Sequence, residues 1–314
     1  MPPFPALPGL TVVENEPLSR HTRFAIGGPA RYYIEASTEP AFIAALHVAR
    51  ESTDPHVVIG GGTNLIVSDS GFPGAILRYT GSAIAQTGHC VRAESGGDLQ
   101  ALVDYAVTHG LRGLETMTGI PGAVGGAIYG NAGAYGRSIN ETVRTVRFYD
   151  GTAIREFDNP ACEFRYRESI FKRHKDWIVL SADLALEPAP SADLARTADE
   201  ILAIRNRKYP PTMKCAGSIF KNLILAELPP AVQSVVPAAV VREGKVPSAW
   251  FLEQIEAKGR RLGDIVVADY HANLIYNAGS GAAAQVRDLI AALKRDVHAR
   301  FALQLEEEVQ YIGF

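Results

Sequence analysis

Apolar and polar residues alternate along this chain in patterns that predict a mixture of strands and helices. The predicted strands cover 31–36, 57–59, 74–79, 91–94, 178–186 and 309–314, with a hairpin over 143–157 that turns at Asp150-Gly151. Apolar residues at helical spacing predict helices that begin after Thr38 and after Asp98, and two more over 193–208 and 284–301. This order is not the regular alternation of a doubly wound fold, so the predicted fold class is α+β.

A proline-rich stretch, Glu187-Pro-Ala-Pro190, interrupts this pattern and marks a domain boundary. At 314 residues the chain is long enough for two or three domains with a substantial core. Its 47% apolar and 21% charged residues are those of an ordinary globular protein. We therefore expect a first domain over 1–190 and a second domain after it.

Charge and cysteine usage exclude several classes of function. The formal net charge of −3 argues against a non-specific nucleic-acid surface. Three widely spaced cysteines without a CxxC pair predict neither a metal site nor a disulfide framework, which suits a reducing cytoplasm. The N-terminal residues lack the features of a secretory signal. The uncharged stretch 116–135 contains too much Gly, Pro and Asn for a membrane helix, so no membrane insertion is expected.

The segment 113–136 (GLETMTGIPGAVGGAIYGNAGAYG) carries eight glycines and no Lys or Arg. Each interior glycine costs a helix about 1 kcal/mol relative to alanine, so we expect no ordinary helix here. Apolar and aromatic residues are spread through it, which argues against a flexible linker. Glycine lets the backbone approach a ligand closely, and peptide N–H groups are then expected to neutralise a phosphate.

The first glycine cluster along the chain, Gly60-Gly61-Gly62-Thr63-Asn64, follows the apolar run 57–59. It matches neither the dinucleotide fingerprint nor the P-loop, and taken alone an ordinary turn is an equally good interpretation. Thr63 and Asn64 add short polar groups suited to a pyrophosphate. Together the two glycine-rich segments predict a large phosphorylated ligand that is held at two places.

Three shorter motifs each have a structural and a functional interpretation. FRYRES (164–169) suits either bidentate carboxylate recognition or a salt-bridged surface strand. AGSIFKN (216–222) lacks the GxSxG pattern of hydrolases, and Ser218 taken alone is more typical of a turn or a helix cap. The triplet Glu306-Glu307-Glu308 is typical of a solvated surface, although one member could point inward where the last strand begins.

Taken together and in order, these motifs resemble those of the UDP-N-acetylenolpyruvoylglucosamine reductase (MurB) family, flavoenzymes of peptidoglycan synthesis. The resemblance covers nearly the whole chain from residue 21 to the last strand. The segments that carry it are HTRFAIGG (21–28), GGGTNLIVSD (60–69), the glycine-rich segment 113–136, FRYRESIF (164–171), AGSIFKN (216–222), PSAWFLEQ (247–254), HANLIYN (271–277) and LEEEV (305–309).

The resemblance implies a vanillyl-alcohol-oxidase-like (PCMH-type) FAD-binding domain over 1–190, whose two subdomains divide near 78–82. It further implies a smaller α+β substrate-binding domain over 191–304 and a terminal strand, 305–314, that returns to the flavin site. FAD is expected to bind non-covalently. The cofactor-binding residues that the resemblance implies are Gly60, Gly61, Gly62, Thr63, Asn64, Leu65, Gly119, Ile120, Pro121, Gly122, Gly125 and Gly126.

The resemblance also implies a reaction. NADPH is the hydride donor that reduces FAD, and hydride then passes to the vinyl carbon of UDP-N-acetyl-3-O-(1-carboxyvinyl)-glucosamine to give UDP-N-acetylmuramate. Arg167 is expected to bind the carboxylate and stabilise the developing enolate, protonated Glu308 to donate a hydrogen bond to the same oxygens, and Ser218 to protonate the carbanionic carbon. The residues expected to line the substrate site are Tyr166, Lys208, Asn222 and Gln254.

The chain looks like the shorter form of the family, since no long insert with a lid tyrosine lies between the hairpin and Ser218. Residues 208–216 and Asn222-Leu-Ile depart from the family pattern. These departures affect how the diphosphate of the UDP-sugar is expected to be held, and they do not affect the expected redox chemistry. A cytoplasmic monomer that binds only small molecules is expected. Two alternatives stay open: another FAD-dependent oxidase or dehydrogenase of this fold, and a non-catalytic module that binds a UDP-sugar without flavin.

Overall fold

The computed structural model describes residues 4–314, which form two compact units. The first unit comprises 4–16, Ala30–Gly61 and Pro73–Pro210, and the second comprises Pro17–Pro29, Gly62–Phe72 and Pro211–Phe314. Both units are therefore discontinuous in sequence. The glycine cluster 60–64 passes from the first unit into the second between Gly61 and Gly62.

The four predicted helices and the predicted strands are present, together with shorter elements that the periodicity did not predict. The helices are α1 (Glu39–Glu51), α2 (Leu99–Thr108), α3 (Val124–Tyr129), α4 (Ile170–Arg173), α5 (Ser191–Lys208), α6 (Pro230–Gln233), α7 (Ser248–Gln254) and α8 (Ala283–Phe301). The strands are β1 (Leu10–Pro17), β2 (Pro29–Ala36), β3 (His56–Ile59), β4 (Leu65–Val67), β5 (Phe72–Tyr79), β6 (Ile84–Thr87), β7 (Cys90–Glu94), β8 (Leu111–Arg112), β9 (Gly133–Ala134), β10 (Arg137–Ser138), β11 (Val143–Tyr149), β12 (Ile154–Asp158), β13 (Ile178–Ala185), β14 (Glu187–Pro188), β15 (Cys215–Ser218), β16 (Leu223–Ile224), β17 (Lys245–Val246), β18 (Arg261–Leu262), β19 (Ile265–Val267), β20 (Leu274–Asn277) and β21 (Gln310–Ile312). Within residues 4–314 none of these helices is long and apolar enough to cross a bilayer.

The first unit is built on two sheets. One has the strand order β1-β2-β5-β3, with β3 parallel to β5, and α1 buries Phe42 and Leu46 in the core on this sheet. The other is the five-stranded sheet β12-β11-β13-β7-β6, whose paired strands are antiparallel. Apolar residues of α2 and α3 pack against it in a second core that includes Leu102 and Ile128. Helices α1 and α2 thus cover the sheets with the apolar faces that their periodicity predicts.

Two local signals act as the sequence predicted. The Asp98 carboxylate accepts a hydrogen bond from the amide of Ala101 at 3.1 Å, and so caps α2. The predicted hairpin of β11 and β12 turns at Asp150-Gly151, where the Asp150 carboxylate accepts from the amide of Thr152 at 2.8 Å. Hydrogen bonds from Arg155 and from turn amides hold the pKa of Asp150 well below its usual range. The hairpin is therefore fixed by side-chain chemistry local to its turn.

The expectation that no helix forms in the glycine-rich segment is wrong for Val124–Tyr129, which is α3. Val124, Ala127 and Ile128 of this helix are buried in the core on the five-stranded sheet. Burial of apolar side chains outweighs the cost of about 1 kcal/mol for each glycine. Gly125 also permits the close packing, since a Cβ there would lie 2.8 Å from the Cβ of Ser95.

Helix α5 belongs to the first unit, whereas the sequence analysis assigned 191–208 to the second domain. Its residues Leu194 and Ile201 are buried, and a Cβ at Gly119 would lie 3.0 Å from Leu202 Cδ1. The proline-rich stretch before it is not a free linker, because β14 pairs with β8, with Glu187 opposite Arg112. Because of this pairing, the chain remains in the first unit through α5 and enters the second unit only after Pro210.

The second unit contains the sheet β15-β20-β19-β18, in which all three pairings are antiparallel. Helices α7 and α8 contribute Phe251, Leu252 and Ile290 to its core. The predicted terminal strand is present as β21, which pairs in parallel with β4 and sets Gln310 opposite Leu65. The end of the chain is thereby joined to the segment that continues the first glycine cluster.

Candidate active site

The two glycine-rich segments meet within the first unit. A Cβ at Gly61 would lie only 3.1 Å from the Cα of Gly122, and one at Gly60 would lie 3.6 Å from the Cβ of Ala123. Side chains at these positions would hold the two backbones apart, so glycine allows the close approach. The sequence predicted that both segments hold one ligand, and the structure brings them into contact.

Part of the second segment uses its amides for its own structure. The amide of Gly119 donates to Gln100 Oε1 at 2.6 Å, and the amide of Gly125 donates to the carbonyl of Ser95 at 2.8 Å. The amide of Ile120 is likewise bonded, to the carbonyl of Met117. These N–H groups serve to shape the loop and to seat α3 on the sheet.

Three other amides of the same segment are suited to an external acceptor. Within residues 4–314, the N–H groups of Gly122, Ala123 and Gly126 form no hydrogen bond with another protein group. A Cβ at Gly126 would meet no heavy atom within 4 Å, so open space adjoins this backbone. Backbone amides without a protein acceptor suit an anionic group such as a diphosphate. The assignment of this segment to the cofactor stays a prediction.

In the second unit, Gly62 requires glycine for two reasons. Its φ of +65° lies in the left-handed region, and a Cβ would overlap the carbonyl oxygen of His21. The carbonyl of Gly62 also accepts a hydrogen bond from the amide of Arg23 at 3.1 Å. The HTRF segment thus clamps the backbone immediately before Thr63, and β4 begins at Leu65.

The guanidinium of Arg167 is held by the backbone of the first unit's glycine-rich segment. Its Nη2 donates to the carbonyl of Gly133 at 2.9 Å, and its Nη1 donates to that of Asn131 at 3.4 Å. The carbonyl of Arg167 accepts from Lys172 Nζ at 2.9 Å, and its φ of +57° is left-handed. A side chain fixed in this way needs little reorganisation to bind a carboxylate.

Asn131 is a residue that the sequence analysis did not single out. It is only 4% exposed, and its Nδ2 donates to the carbonyl of Arg165 at 2.9 Å. Together with its carbonyl contact to Arg167, this bond joins the glycine-rich segment to the FRYRES motif. The signal that could have found it is an asparagine directly after a glycine, a residue type that tolerates the left-handed φ of +42° seen here.

The motifs around Ser218 and Glu308 lie side by side in the second unit. The amide of Glu308 donates to the carbonyl of Ile219 at 2.8 Å, and the amide of Lys221 donates to the carbonyl of Glu306 at 2.9 Å. Ser218 ends β15 and follows Gly217, which has a left-handed φ of +73°. The structure therefore brings two of the three predicted catalytic segments together as backbone partners.

The acidic triplet is distributed among different partners. Glu306 forms an ion pair with Lys221, whereas Glu307 bonds to Lys294 Nζ at 2.7 Å and accepts from the hydroxyl of Tyr311. Burial and this carboxylate raise the pKa of Tyr311. Ion pairs thus engage Glu306 and Glu307, and the assignment of Glu308 as the candidate acid stays a prediction.

The predicted substrate residues are placed on both units. In the second unit, Asn222 Oδ1 accepts from the amide of Ser248 at 3.3 Å where α7 begins, and Gln254 is the last residue of that helix. In the first unit, Tyr166 lies beside Arg167, with the guanidinium carbon 5.3 Å from the ring centroid. Lys208 is exposed at the end of α5. Their roles stay predictions.

Comparison with known proteins agrees with these motifs. Residues 209–312 match the family profile of the C-terminal domain of UDP-N-acetylenolpyruvoylglucosamine reductase, and residues 30–154 match that of an FAD binding domain. The chain is 58% identical to the UDP-N-acetylenolpyruvoylglucosamine reductase of Solibacter usitatus, over 98% of both chains. The chain belongs to the UDP-N-acetylenolpyruvoylglucosamine reductase family.

Other members of the UDP-N-acetylenolpyruvoylglucosamine reductase family are similar over nearly their whole length. The reductase of Carboxydothermus hydrogenoformans is 34% identical over 96% of this chain and 94% of its own. The crystal structure of MurB from Thermus caldophilus superposes with a TM-score of 0.73 at 28% identity, covering 96% of this chain and 98% of that chain. The family and the fold class predicted from the sequence are thereby confirmed.

Proposed function

We propose that this chain catalyses the NADPH-dependent reduction of UDP-N-acetyl-3-O-(1-carboxyvinyl)-glucosamine to UDP-N-acetylmuramate in peptidoglycan biosynthesis, with FAD as cofactor. The observation that carries the proposal is the 58% identity with a reductase of that name over 98% of both chains. The match of residues 30–154 to an FAD binding domain supports the cofactor.

The glycine-rich segments fit such a cofactor. Gly60 and Gly61, which pack against Gly122 and Ala123, are proposed to lie beside its diphosphate, and the amides of Gly122, Ala123 and Gly126 would donate to its oxygens. The other residues proposed to hold it are Gly62, Thr63, Asn64, Leu65, Gly119, Ile120, Pro121 and Gly125. When bound, FAD supplies the hydride relay between NADPH and the vinyl group of the substrate.

Arg167 is proposed to bind the carboxylate of the enolpyruvyl group. Addition of hydride to the vinyl methylene moves negative charge towards this carboxylate, and a guanidinium already anchored on the carbonyls of Asn131 and Gly133 stabilises that charge without reorganisation. The planar fork of Arg is suited to two carboxylate oxygens. Arg167 thus favours the charge distribution of the transition state over that of the substrate.

Ser218 and Glu308 are proposed to complete the reaction. The Ser218 hydroxyl gives its proton to the carbon that bears the carboxylate, and Glu308 donates a hydrogen bond to the carboxylate oxygens when it is protonated. Their adjacent backbones, joined by the bond from the Glu308 amide to Ile219, support this pairing of roles. The residues proposed to bind the UDP-sugar are Tyr166, Lys208, Asn222 and Gln254.

Two further parts of the proposal concern the state of the protein. We place the reaction in the cytoplasm, because the three cysteines of the described chain are free thiols, as in a reducing compartment. We also propose a monomer, which sedimentation analysis of the flavin-loaded protein would test.

The experiment that tests the function is anaerobic stopped-flow absorbance of the bound flavin. NADPH is added first, and the enolpyruvyl UDP-sugar is then mixed with the reduced protein. We expect rapid reoxidation without oxygen, slowed by about 10²-fold to 10⁴-fold in Ser218→Ala, as for loss of a general acid. Ser280→Ala removes an exposed hydroxyl from the same unit and should match the wild type.

Two results would contradict this assignment. Reduction by NADPH with no response to the UDP-sugar would favour another oxidase or dehydrogenase of this fold. A purified protein that binds the UDP-sugar but takes up no flavin would favour a non-catalytic binding module.

A further inference from the structure

The peptide groups on both sides of the Glu308 Cα are held by side-by-side segments of the second unit. On one side, the Glu308 amide donates to the carbonyl of Ile219 at 2.8 Å, in the Ser218 motif. On the other side, the Glu308 carbonyl accepts from Asn64 Nδ2 at 2.9 Å, in the first glycine cluster. With both flanking peptides bonded, the direction of the Cα–Cβ bond of Glu308 is fixed.

Asn64 is itself anchored to the same segment of chain. Its carbonyl accepts from the amide of Gln310 at 3.0 Å, and the next residue, Leu65, stands opposite Gln310 in the parallel pair of β4 and β21. The hydrogen bond from the Asn64 side-chain amide to Glu308 therefore continues the row of hydrogen bonds between β4 and β21. Asn64 was expected to face a pyrophosphate, yet this N–H donor is directed at the acid's own backbone.

We infer that Asn64 is a positioning residue for Glu308, which it holds by a hydrogen bond to the Glu308 carbonyl. The inference rests on the proposed function, since it assigns Asn64 to the half of the reaction in which the UDP-sugar is reduced. It requires a donor at this position. Asp has nearly the same shape as Asn but offers only acceptors when ionised, so it would set a carboxylate oxygen against the carbonyl.

The test compares two half-reactions in the flavin-loaded protein by anaerobic stopped flow. For Asn64→Asp, measured on protein saturated with FAD, we expect reoxidation by the UDP-sugar to be slowed far more than flavin reduction by NADPH. Reoxidation by the enolpyruvyl UDP-sugar should fall by about 100-fold, the effect of displacing a reacting group by about 1 Å. Asn15→Asp, at an exposed residue of the edge strand β1, adds the same charge and should leave both rates unchanged.

Two further variants separate positioning from a merely structural role. In a Glu308→Gln background, Asn64→Asp should add little further loss, because the two residues act through one interaction. Asn64→His restores an N–H donor, and we expect its reoxidation rate to be much closer to the wild type than that of Asn64→Asp. If Asn64→Asp takes up no flavin, the reoxidation rate of Asn64→His tests the inference instead.

Three outcomes would overturn the inference. The first is that Asn64→Asp or Asn64→His slows flavin reduction as much as reoxidation. The second is that the loss of reoxidation rate in Asn64→Asp adds fully to that in Glu308→Gln. The third is that Asn64→Asp reoxidises at the wild-type rate. A wild-type protein that does not respond to the UDP-sugar would instead contradict the proposed function.

Discussion

Two neighbouring glycines of α3 provide a direct test of how the glycine-rich segment works. Alanine at Gly126 would place its methyl group in open space, whereas alanine at Gly125 would place it 2.8 Å from the Cβ of Ser95. Both residues have helical backbone conformations, so the same substitution gains helix propensity at either position. The two variants therefore differ mainly in what the new methyl group contacts.

The magnitudes follow from these contacts. In the apoprotein, Gly126→Ala should raise the free energy of unfolding by about 0.8–1 kcal/mol, the difference in helix propensity. Gly125→Ala gains the same amount but overpacks the core at a cost of about 1–3 kcal/mol, so the net change is a loss of up to about 2 kcal/mol. If the cofactor occupies the space beside Gly126, the added methyl should weaken FAD binding by about 5-fold to 150-fold.

The assays are thermal or urea unfolding of deflavinated protein and titration with FAD followed by quenching of flavin fluorescence. Gly126→Ala should thus be more stable than the wild type and yet bind FAD less tightly. Unchanged FAD affinity would refute the assignment of this space to the cofactor. A stabilised Gly125→Ala would show that the contact with Ser95 is not tight in solution.

Three other predictions concern charge and reactivity. Hydrogen bonds from Arg92, at 2.7 and 2.8 Å, lower the pKa of Asp183. At pH values above the unfolded pKa of about 3.9, this salt bridge should stabilise the fold by about 0.2–1 kcal/mol. The stabilisation is lost as the pH falls through the folded pKa. Urea unfolding of Asp183→Asn at neutral and acid pH should show this part of the pH dependence removed, and an unaltered profile would contradict it. Burial raises the pKa of Cys162 to about 12, so iodoacetamide should label the partly exposed Cys90 first in peptide mapping of the native protein, and the reverse order would contradict it. Arg167→Lys keeps the charge but loses the planar fork, so stopped flow should show reoxidation by the UDP-sugar slowed about 10²-fold to 10³-fold with flavin reduction by NADPH unchanged, whereas equal slowing of both would argue against its role.

Features encoded by neighbouring residues could be predicted from the sequence. The helix after Asp98 and the turn at Asp150-Gly151 are confirmed because a carboxylate in each bonds to amides two or three residues away. The two glycine-rich segments also predicted close contact between backbones, because glycine allows such contact, and Gly61 and Gly122 approach each other closely. Whether these segments hold FAD stays a prediction.

Features that depend on distant partners could not be predicted in this way. Helix α3 forms despite its glycines because the five-stranded sheet buries Val124 and Ile128, and local patterns predict the strands of that sheet but not how they pair. The position of α5 depends on the pairing of β14 with β8, whereas the prolines at 188 and 190 were interpreted as a domain boundary. The hydrogen bond between Asn131 and Arg165 likewise joins residues 34 positions apart.

The pairing of β4 with β21 has a consequence for how the nascent chain acquires structure. Asn64 and Glu308 are 244 residues apart, so the cluster that they share cannot form until almost the entire polypeptide has left the ribosome. The first unit is complete at Pro210 and can assemble earlier, while Gly62–Phe72 must wait for Pro211–Phe314. Deletion of a few residues around Gln310 would therefore leave β4, a strand translated early, without its pairing partner. During synthesis, the second unit should fold more slowly than the first and should aggregate more readily.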